Sequence, residues 1–176
     1  MNAVTLRPQK KSDTADLAEL FNQPRVIDGT LRLPFTPEDG VGEWLESMGP
    51  RKRMIIADCD QRAVGFVVLS RLEGRMAHIG EVFIAVHDSF QQRGIATALL
   101  SAAIDVADNW MGLVRLQLEV LVDNAPAIRL YERTGFVREG RARAGTLRNG
   151  ALVDHYYMAR LATPPKRRAE DQEENP

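Results

Sequence analysis

The sequence is poor in the groups that build covalent staples or metal centres. Cys59 is the one cysteine in 176 residues, so no internal disulfide can form. Three histidines, His78, His87 and His155, show no ligand spacing with it or with one another, so no metal is expected. Charge of one sign is missing as well. Lys and Arg number 23 against 24 Asp and Glu, a net charge of −1, which leaves no global basic field to attract nucleic acid or anionic lipid. The longest apolar run, Ala63 to Leu69, is broken by Gly65 and falls far short of the roughly 20 residues a spanning helix requires. The opening MNAVTLRP turns polar at Gln9, Lys10 and Lys11, without the charged-then-apolar order of a signal peptide. The expectation is a cytoplasmic protein with no membrane and no nucleic-acid partner.

What is present fits an ordinary globule. Hydrophobic residues make up 44% and charged residues 27%. A chain of this length can bury roughly 70% of its unfolded surface in one core. One domain is expected over residues 1–162. From Thr163 the chain reads TPPKRRAEDQEENP, with almost nothing apolar to offset the entropy of ordering, so residues 163–176 are expected to form a frayed, disordered tail.

Along the domain, Val4 to Arg7 reads as a short strand. Ser12 is placed to cap a helix running to about Asn22, with Leu17, Leu20 and Phe21 on one face. Gln23 to Phe35, with two prolines and a glycine, reads as a loop. Thr36-Pro37-Glu38-Asp39 has a hydroxyl cap, proline at the first helical position and acids in the first turn. Val41, Trp44, Leu45 and Met48 are then the buried stripe of a second helix. Met54 to Asp58 and Val64 to Leu69 flank Cys59-Asp60-Gln61-Arg62, a hairpin by composition, and a strand from His78 to Val86 follows. Ala96, Leu99, Leu100, Ala103, Ile104 and Ala107 predict a helix from Gly94 to about Trp110. Leu116 to Val122 then reads as a strand. Asn124 caps a short helix stopped by Gly135, and strands from about Phe136 to Arg143 and from Ala151 to Leu161 flank an Asn149-Gly150 turn. The order βααβββαβαββ implies an α/β fold, a mixed sheet with helices packed on it.

The informative stretch is Ile84 to Thr97, IAVHDSFQQRGIAT. A strand runs into a loop holding Gly94 and small Ala96, and a long helix begins at once. Unpaired backbone N–H groups therefore point outward at the positive end of the helix dipole, which is a cradle for phosphate. Gln91, Gln92 and Arg93 are placed to add side-chain donors. Neither GxxxxGK[ST] nor GxGxxG occurs. The competing interpretation is a plain strand-to-helix turn in which the glycine serves geometry alone.

Here the sequence resembles the GCN5-related N-acetyltransferase superfamily, whose motif Gln/Arg-x-x-Gly-x-Gly/Ala is matched by Gln91, Gly94 and Ala96. A second motif is matched from Asn124-Ala125-Pro126-Ala127 through Tyr131 to Gly135-Phe136. Within the superfamily, VDNAPAIRLYERTGF and RNGALVDHYYMARL look like the bacterial L-amino-acid N-acetyltransferases. The resemblance implies a mostly antiparallel sheet flanked by helices and splayed between its fourth and fifth strands. It implies acetyl-CoA as co-substrate, with pantetheine along Ile84, Ala85 and Val86 and pyrophosphate on the backbone from Gln92 through Arg93, Gly94, Ile95 and Ala96 to Thr97. Asn124 and Ala127 would flank the thioester arm. Tyr131 would be the acid that protonates the departing thiolate, and Glu81 a carboxylate accepting the amine's proton directly or through water. A homodimer is implied as well.

His155, Tyr156 and His78 are weaker candidates for the base, and Cys59 has no activating partner in the sequence. The acceptor pocket is expected from Gln23 to Phe35 and from the hairpin around Thr146 to Val153. Arg25, Arg32 or Arg148 would hold a carboxylate, and Leu33 or Phe35 would pack an apolar side chain. The acceptor read from the resemblance is a small-molecule amine, first a free L-amino acid. Alternatives are an antimetabolite such as phosphinothricin, a protein N-terminus, or a polyamine, for which Glu38, Asp39, Glu43 and Glu46 would supply carboxylates. A rival of another class is a CoA-binding regulatory module without turnover.

Overall fold

The computed structural model of the chain describes residues 3–162, so the tail expected from Thr163 lies outside the described residues. Seven strands form one sheet: β1 (Thr5–Pro8), β2 (Lys52–Cys59), β3 (Arg62–Arg71), β4 (Ile79–Val86), β5 (Arg115–Leu121), β6 (Val137–Arg148) and β7 (Ala151–Leu161). The helices are α1 (Thr14–Phe21), α2 (Pro24–Gly29), α3 (Glu38–Glu46), α4 (Ile95–Asp105) and α5 (Ala125–Arg133). Strand order across the sheet is β1-β2-β3-β4-β5-β7-β6. Every neighbouring pair is antiparallel except β4 and β5.

The first helix departs from its expected start. A 3-10 turn over Lys11–Asp13 precedes it, and Asp13 rather than Ser12 organises the entry. Its carboxylate accepts the Lys10 N–H at 2.7 Å and two Arg7 N–H groups at 2.7 and 2.9 Å. Burial would push the Asp13 carboxyl up. The hydrogen bonds from Arg7 and from the Lys10 N–H outweigh that and hold it below the usual carboxylate range. The buried charge, so compensated, ties β1 to the start of α1.

The expected loop from Gln23 to Phe35 contains a helix. Pro24 occupies the first position of α2 and Val26 is buried beneath it, so the proline begins a helix here instead of excluding one. Thr36 is not a cap either. Pro37 holds the cap position of α3 and the Thr36 hydroxyl donates to the Leu33 carbonyl at 3.2 Å. In α3, Val41 and Leu45 are buried and Trp44 is half-buried, as an amphipathic stripe would place them, and Met48, half-buried, follows just past the helix end at Glu46. The helix after Gly94 does reach Trp110, with Val106–Trp110 loosened into a π-helical turn.

Strand alternation divides the core between the two faces of the sheet. Val67, Val82, Leu116, Leu118 and Val120 pack with Leu99, Leu100 and Ala103 of α4 and with Ile128 and Tyr131 of α5. On the other face, Leu17, Leu20 and Phe21 of α1 and Val41 and Leu45 of α3 cover Ile56, Phe66 and Ala85. There Phe21, Trp44, Phe66 and Phe83 stack edge to face at centroid separations of 5.3–5.8 Å.

The parallel pair sets up the site. β4 and β5 are joined only where Ile79–Glu81 meets Arg115–Gln117, and beyond that they part. Gly80 sits at this pin. A Cβ there would meet Leu113 at 2.7 Å and Leu69 and Leu116 at 2.9 Å, so the close packing of the joined end depends on a residue without one.

Candidate active site

The opening between β4 and β5 is the mouth of a cleft of about 1640 Å³. The phase of the β3–β4 ladder decides which backbone groups line it. The His87 N–H donates to Val64 at 2.9 Å and the Leu72 N–H to Ile79 at 3.0 Å. With the unbroken register between, these bonds direct the amides of Glu81, Phe83 and Ala85 at β3, and those of Val82, Ile84 and Val86 at the opening. The amide of Ala85 is therefore spent in the sheet, although Ala85 lines the cleft. Ile84 and Val86 offer the free edge on which an extended ligand can add as a strand.

The loop after β4 is built to keep α4's N-terminus open. Gln92 has φ 62° and Gly94 has φ 78°, a left-handed conformation in which glycine carries no Cβ penalty. Nothing lies within 4 Å of the place where a Cβ on Gly94 would sit, so backbone is exposed at the head of the helix. Gln92, Gly94, Ile95, Ala96 and Thr97 all line the cleft. This arrangement fits a pyrophosphate.

Two side chains expected as donors are engaged elsewhere. Gln91 lines the cleft, but its amide nitrogen donates to the Val86 carbonyl at 3.1 Å and the Asp88 carboxylate at 3.3 Å, so it braces the loop. Arg93 is not among the cleft residues. Its guanidinium lies 4.9 Å from the Phe90 ring centre and donates to the Ser89 carbonyl at 2.9 Å.

Across the opening, Asn124 accepts the Ala127 N–H at 3.3 Å as the cap of α5, and its amide donates to the Gly29 carbonyl at 3.4 Å. Its polar atoms thus tie α5 to the end of α2. Ala127 and Tyr131 lie on the cleft. Tyr131 is 7% exposed, rests on Phe136 at 5.8 Å, and its hydroxyl has no hydrogen-bond partner among the described residues. Burial pushes the phenol above its ordinary value, so it keeps its proton at neutral pH.

Glu81 is exposed on the cleft floor, on the same face of β4 as Phe83 and Ala85, and accepts from Gln117 Nε2 at 3.3 Å. No bulge interrupts β4 in its pairing with β3. Sequence reasoning missed the far side of this floor: Arg115, Gln117 and Glu119 of β5 also line the cleft. Their alternation with buried Leu116, Leu118 and Val120 was the available signal.

The other candidates lie off the cleft surface. His78 is exposed near the joined end, Tyr156 sits under Arg138 at 4.7 Å, and Cys59 is buried. His155 is 5% exposed, with Nδ1 3.2 Å from the Thr146 hydroxyl and Nε2 3.5 Å from the Glu119 carboxylate. Leu33 and Phe35, expected to pack the substrate's side chain, are 82% and 91% exposed and do not line the cleft, while Val26 and Leu31 do. The closing hairpin adds Glu139, Gly140, Tyr157 and Met158 from further along its strands. Of the stretch from Thr146 to Val153 only Arg148 lines the cleft, and its guanidinium is bound to the Asp123 carboxylate and to the Asp28 carbonyl at 3.0 Å. That ion pair holds the Asp123 carboxyl below the usual range. Among the described residues no cluster of His, Cys, Asp and Glu is arranged to hold a metal ion, and no helix is long and apolar enough to cross a membrane.

Several known proteins similar to this chain are acetyltransferases. The chain is 35% identical over 164 residues to the L-amino acid N-acetyltransferase AaaT of Escherichia coli K12, covering 92% of this chain and 99% of that one. It is 26% identical to a spermidine N(1)-acetyltransferase of Vibrio cholerae, covering 95% and 98%. The solved structure of the spermidine N-acetyltransferase from Vibrio cholerae in complex with CoA and spermine superposes with a TM-score of 0.81 at 25% identity, over 90% of this chain and 95% of that one. The sequence pattern of the Acetyltransferase (GNAT) family matches residues 16–136, from α1 through the motif that carries Tyr131, and the chain belongs to this family of acetyl-CoA-dependent N-acetyltransferases.

Proposed function

We propose that the protein transfers the acetyl group of acetyl-CoA to the primary amine of a free L-amino acid in the cytoplasm, directly within a ternary complex. The observation that carries the acceptor is the 35% identity, along nearly the whole length of both chains, to an L-amino acid N-acetyltransferase, against 26% for the spermidine enzyme. Acetyl-CoA supplies an acyl carbon activated by its thioester. This chain's residues do the rest. The Val86 N–H, facing the opening, is placed to polarise the thioester carbonyl. The Glu81 carboxylate takes a proton from the attacking amine, and the Tyr131 hydroxyl gives one to the departing sulfur. Direct transfer is preferred because the single cysteine is buried and off the cleft, so it offers no covalent relay.

An acetyl-CoA turnover screen across free amino acids, phosphinothricin, polyamines and N-terminal peptides, reading thiol release, tests the acceptor. The expected result is turnover on apolar amino acids. Activity confined to polyamines or peptides would replace the acceptor, and CoA binding without turnover on any amine would favour a regulatory module.

A homodimer belongs to the same reading. Its support is the exposed edge strand β6, where Leu147 at 70% exposure is paired with Leu152 of β7 at 66%, and Val137 at the strand's other end is 61% exposed. Light scattering is expected to give twice the chain mass, and the monomer mass across a concentration series would remove it.

A further inference from the structure

We propose that Arg32 selects the acceptor by binding a carboxylate carried beside the substrate's amine. This rests on the amino-acid reading above and adds the residue that would enforce it.

Five arginines have partly buried side chains among the described residues: Arg7, Arg32, Arg115, Arg148 and Arg160. Four are matched to carboxylates, Arg7 to Asp13 and Asp58, Arg115 to Glu139, Arg148 to Asp123 and Arg160 to Asp108. Arg32 meets no carboxylate, and its guanidinium donates no hydrogen bond among the described residues. Instead it lies over the ring of Phe21 at 3.6 Å, with Trp44 at 4.9 Å and Phe83 at 5.6 Å. Aromatic faces hold a guanidinium in place and partly offset its lost hydration, but they leave its edge donors unused. Burial pulls its pKa below the ordinary value, the mark of a cation short of an anion.

The location gives that deficit a purpose. Arg32 lines the cleft, and Phe83 beneath it is two residues along β4 from Glu81 on the same face. A substrate with its carboxylate on Arg32 thus carries its α-amine towards the proposed base. The other two arginines expected for this task are less suited. Arg148 is already bound by Asp123, and Arg25, though on the cleft, is an exposed side chain that no aromatic ring among the described residues holds in place. The same cation disfavours polyamines, which bring positive charge only. The α3 carboxylates expected to serve a polyamine, Glu38, Asp39, Glu43 and Glu46, do not line the cleft, and of the acids that do, Asp123 and Glu139 are neutralised by Arg148 and Arg115, which leaves Asp28, Glu81 and Glu119.

The test compares kcat/KM for L-phenylalanine and L-phenylalaninamide, and for L-methionine and L-methioninamide, in the wild type, Arg32→Gln and Arg32→Lys. Melting temperatures are recorded for each. The amide's amine is neutral more often at a given pH, so every kcat/KM is expressed per concentration of neutral amine before the acid-to-amide ratio is formed. The wild type is expected to favour the acids by about 10- to 100-fold. Arg32→Gln is expected to bring the ratio to within about threefold of unity, mainly through KM, and Arg32→Lys to recover part of it. A wild type that takes the amides as readily as the acids overturns the proposal without any variant. So does a folded variant that keeps the wild-type ratio, and in that case the amino-acid reading survives. A wild type that acetylates spermidine and no free amino acid overturns both.

Discussion

Tyr131→Phe is expected to lower turnover on the best acceptor by about 10²-fold or more, with CoA affinity nearly unchanged. The size follows from what the hydroxyl can do at its position. Tyr131 lines the cleft with its hydroxyl unpartnered among the described residues, so the substitution removes no structural hydrogen bond and leaves no buried group stranded. The ring keeps its contact with Phe136 at 5.8 Å, and melting temperature is expected to shift little. Burial raises the phenol, which at first sight makes it a poor acid for a departing thiolate, since thiols are ordinarily more acidic than phenols. The same low-dielectric surroundings, however, also raise the proton affinity of sulfur leaving within the cleft, because desolvation penalises any anion there. The hydroxyl therefore stays protonated until charge develops on sulfur, and then faces an acceptor that cannot be stabilised by water. Steady-state kinetics under conditions where chemistry limits the rate, with calorimetric CoA binding, give the check. Unchanged turnover would remove Tyr131 from the mechanism, and a parallel loss of CoA affinity would make it a binding residue.

Much of this arrangement is written in short-range pattern. The cradle before α4, the cap at Asn124 and the approach to Tyr131 each depend on neighbours within one or two helical turns, and these are the segments where periodicity and capping chemistry act. The Asp60-Gln61 and Asn149-Gly150 turns are likewise local, with all four residues at positive φ. What could not be read depends on partners distant in sequence. Asp13 takes over the entry to α1 only because Arg7 and Asp58 converge from β1 and β2. Gln91 braces its loop because the Val86 carbonyl happens to face the opening, a matter of ladder phase. Arg32 stands out from Arg25 and Arg148 only once the aromatic stack and the Asp123 pair are in place. Helix α2 was hidden for another reason. Proline at a first helical position and proline in a loop have the same local signature, and burial of Val26 decides between them.

Glu81→Gln is expected to lower kcat/KM by about 10²-fold near pH 7, with the deficit shrinking as pH rises. The direction is set by the amine. At pH 7 a peptide α-amine is neutral in about one molecule in ten, and a lysine-like amine in about one in several thousand. A base that removes the amine's proton thus matters most at neutral pH and least where solution has already removed it. The glutamine is nearly the same size, and its carbonyl oxygen can still accept from Gln117 Nε2, the 3.3 Å contact that orients the carboxylate. Glu81 is exposed at the cleft floor, so the change buries no uncompensated group, and loss of fold is not a competing cause. The check is a pH–rate profile of both proteins from about pH 6 to 10 on one amino acid. If the two profiles run parallel, Glu81 positions the substrate. Glu119, which faces the same cleft across the opening between β4 and β5, would then be the carboxylate to replace next.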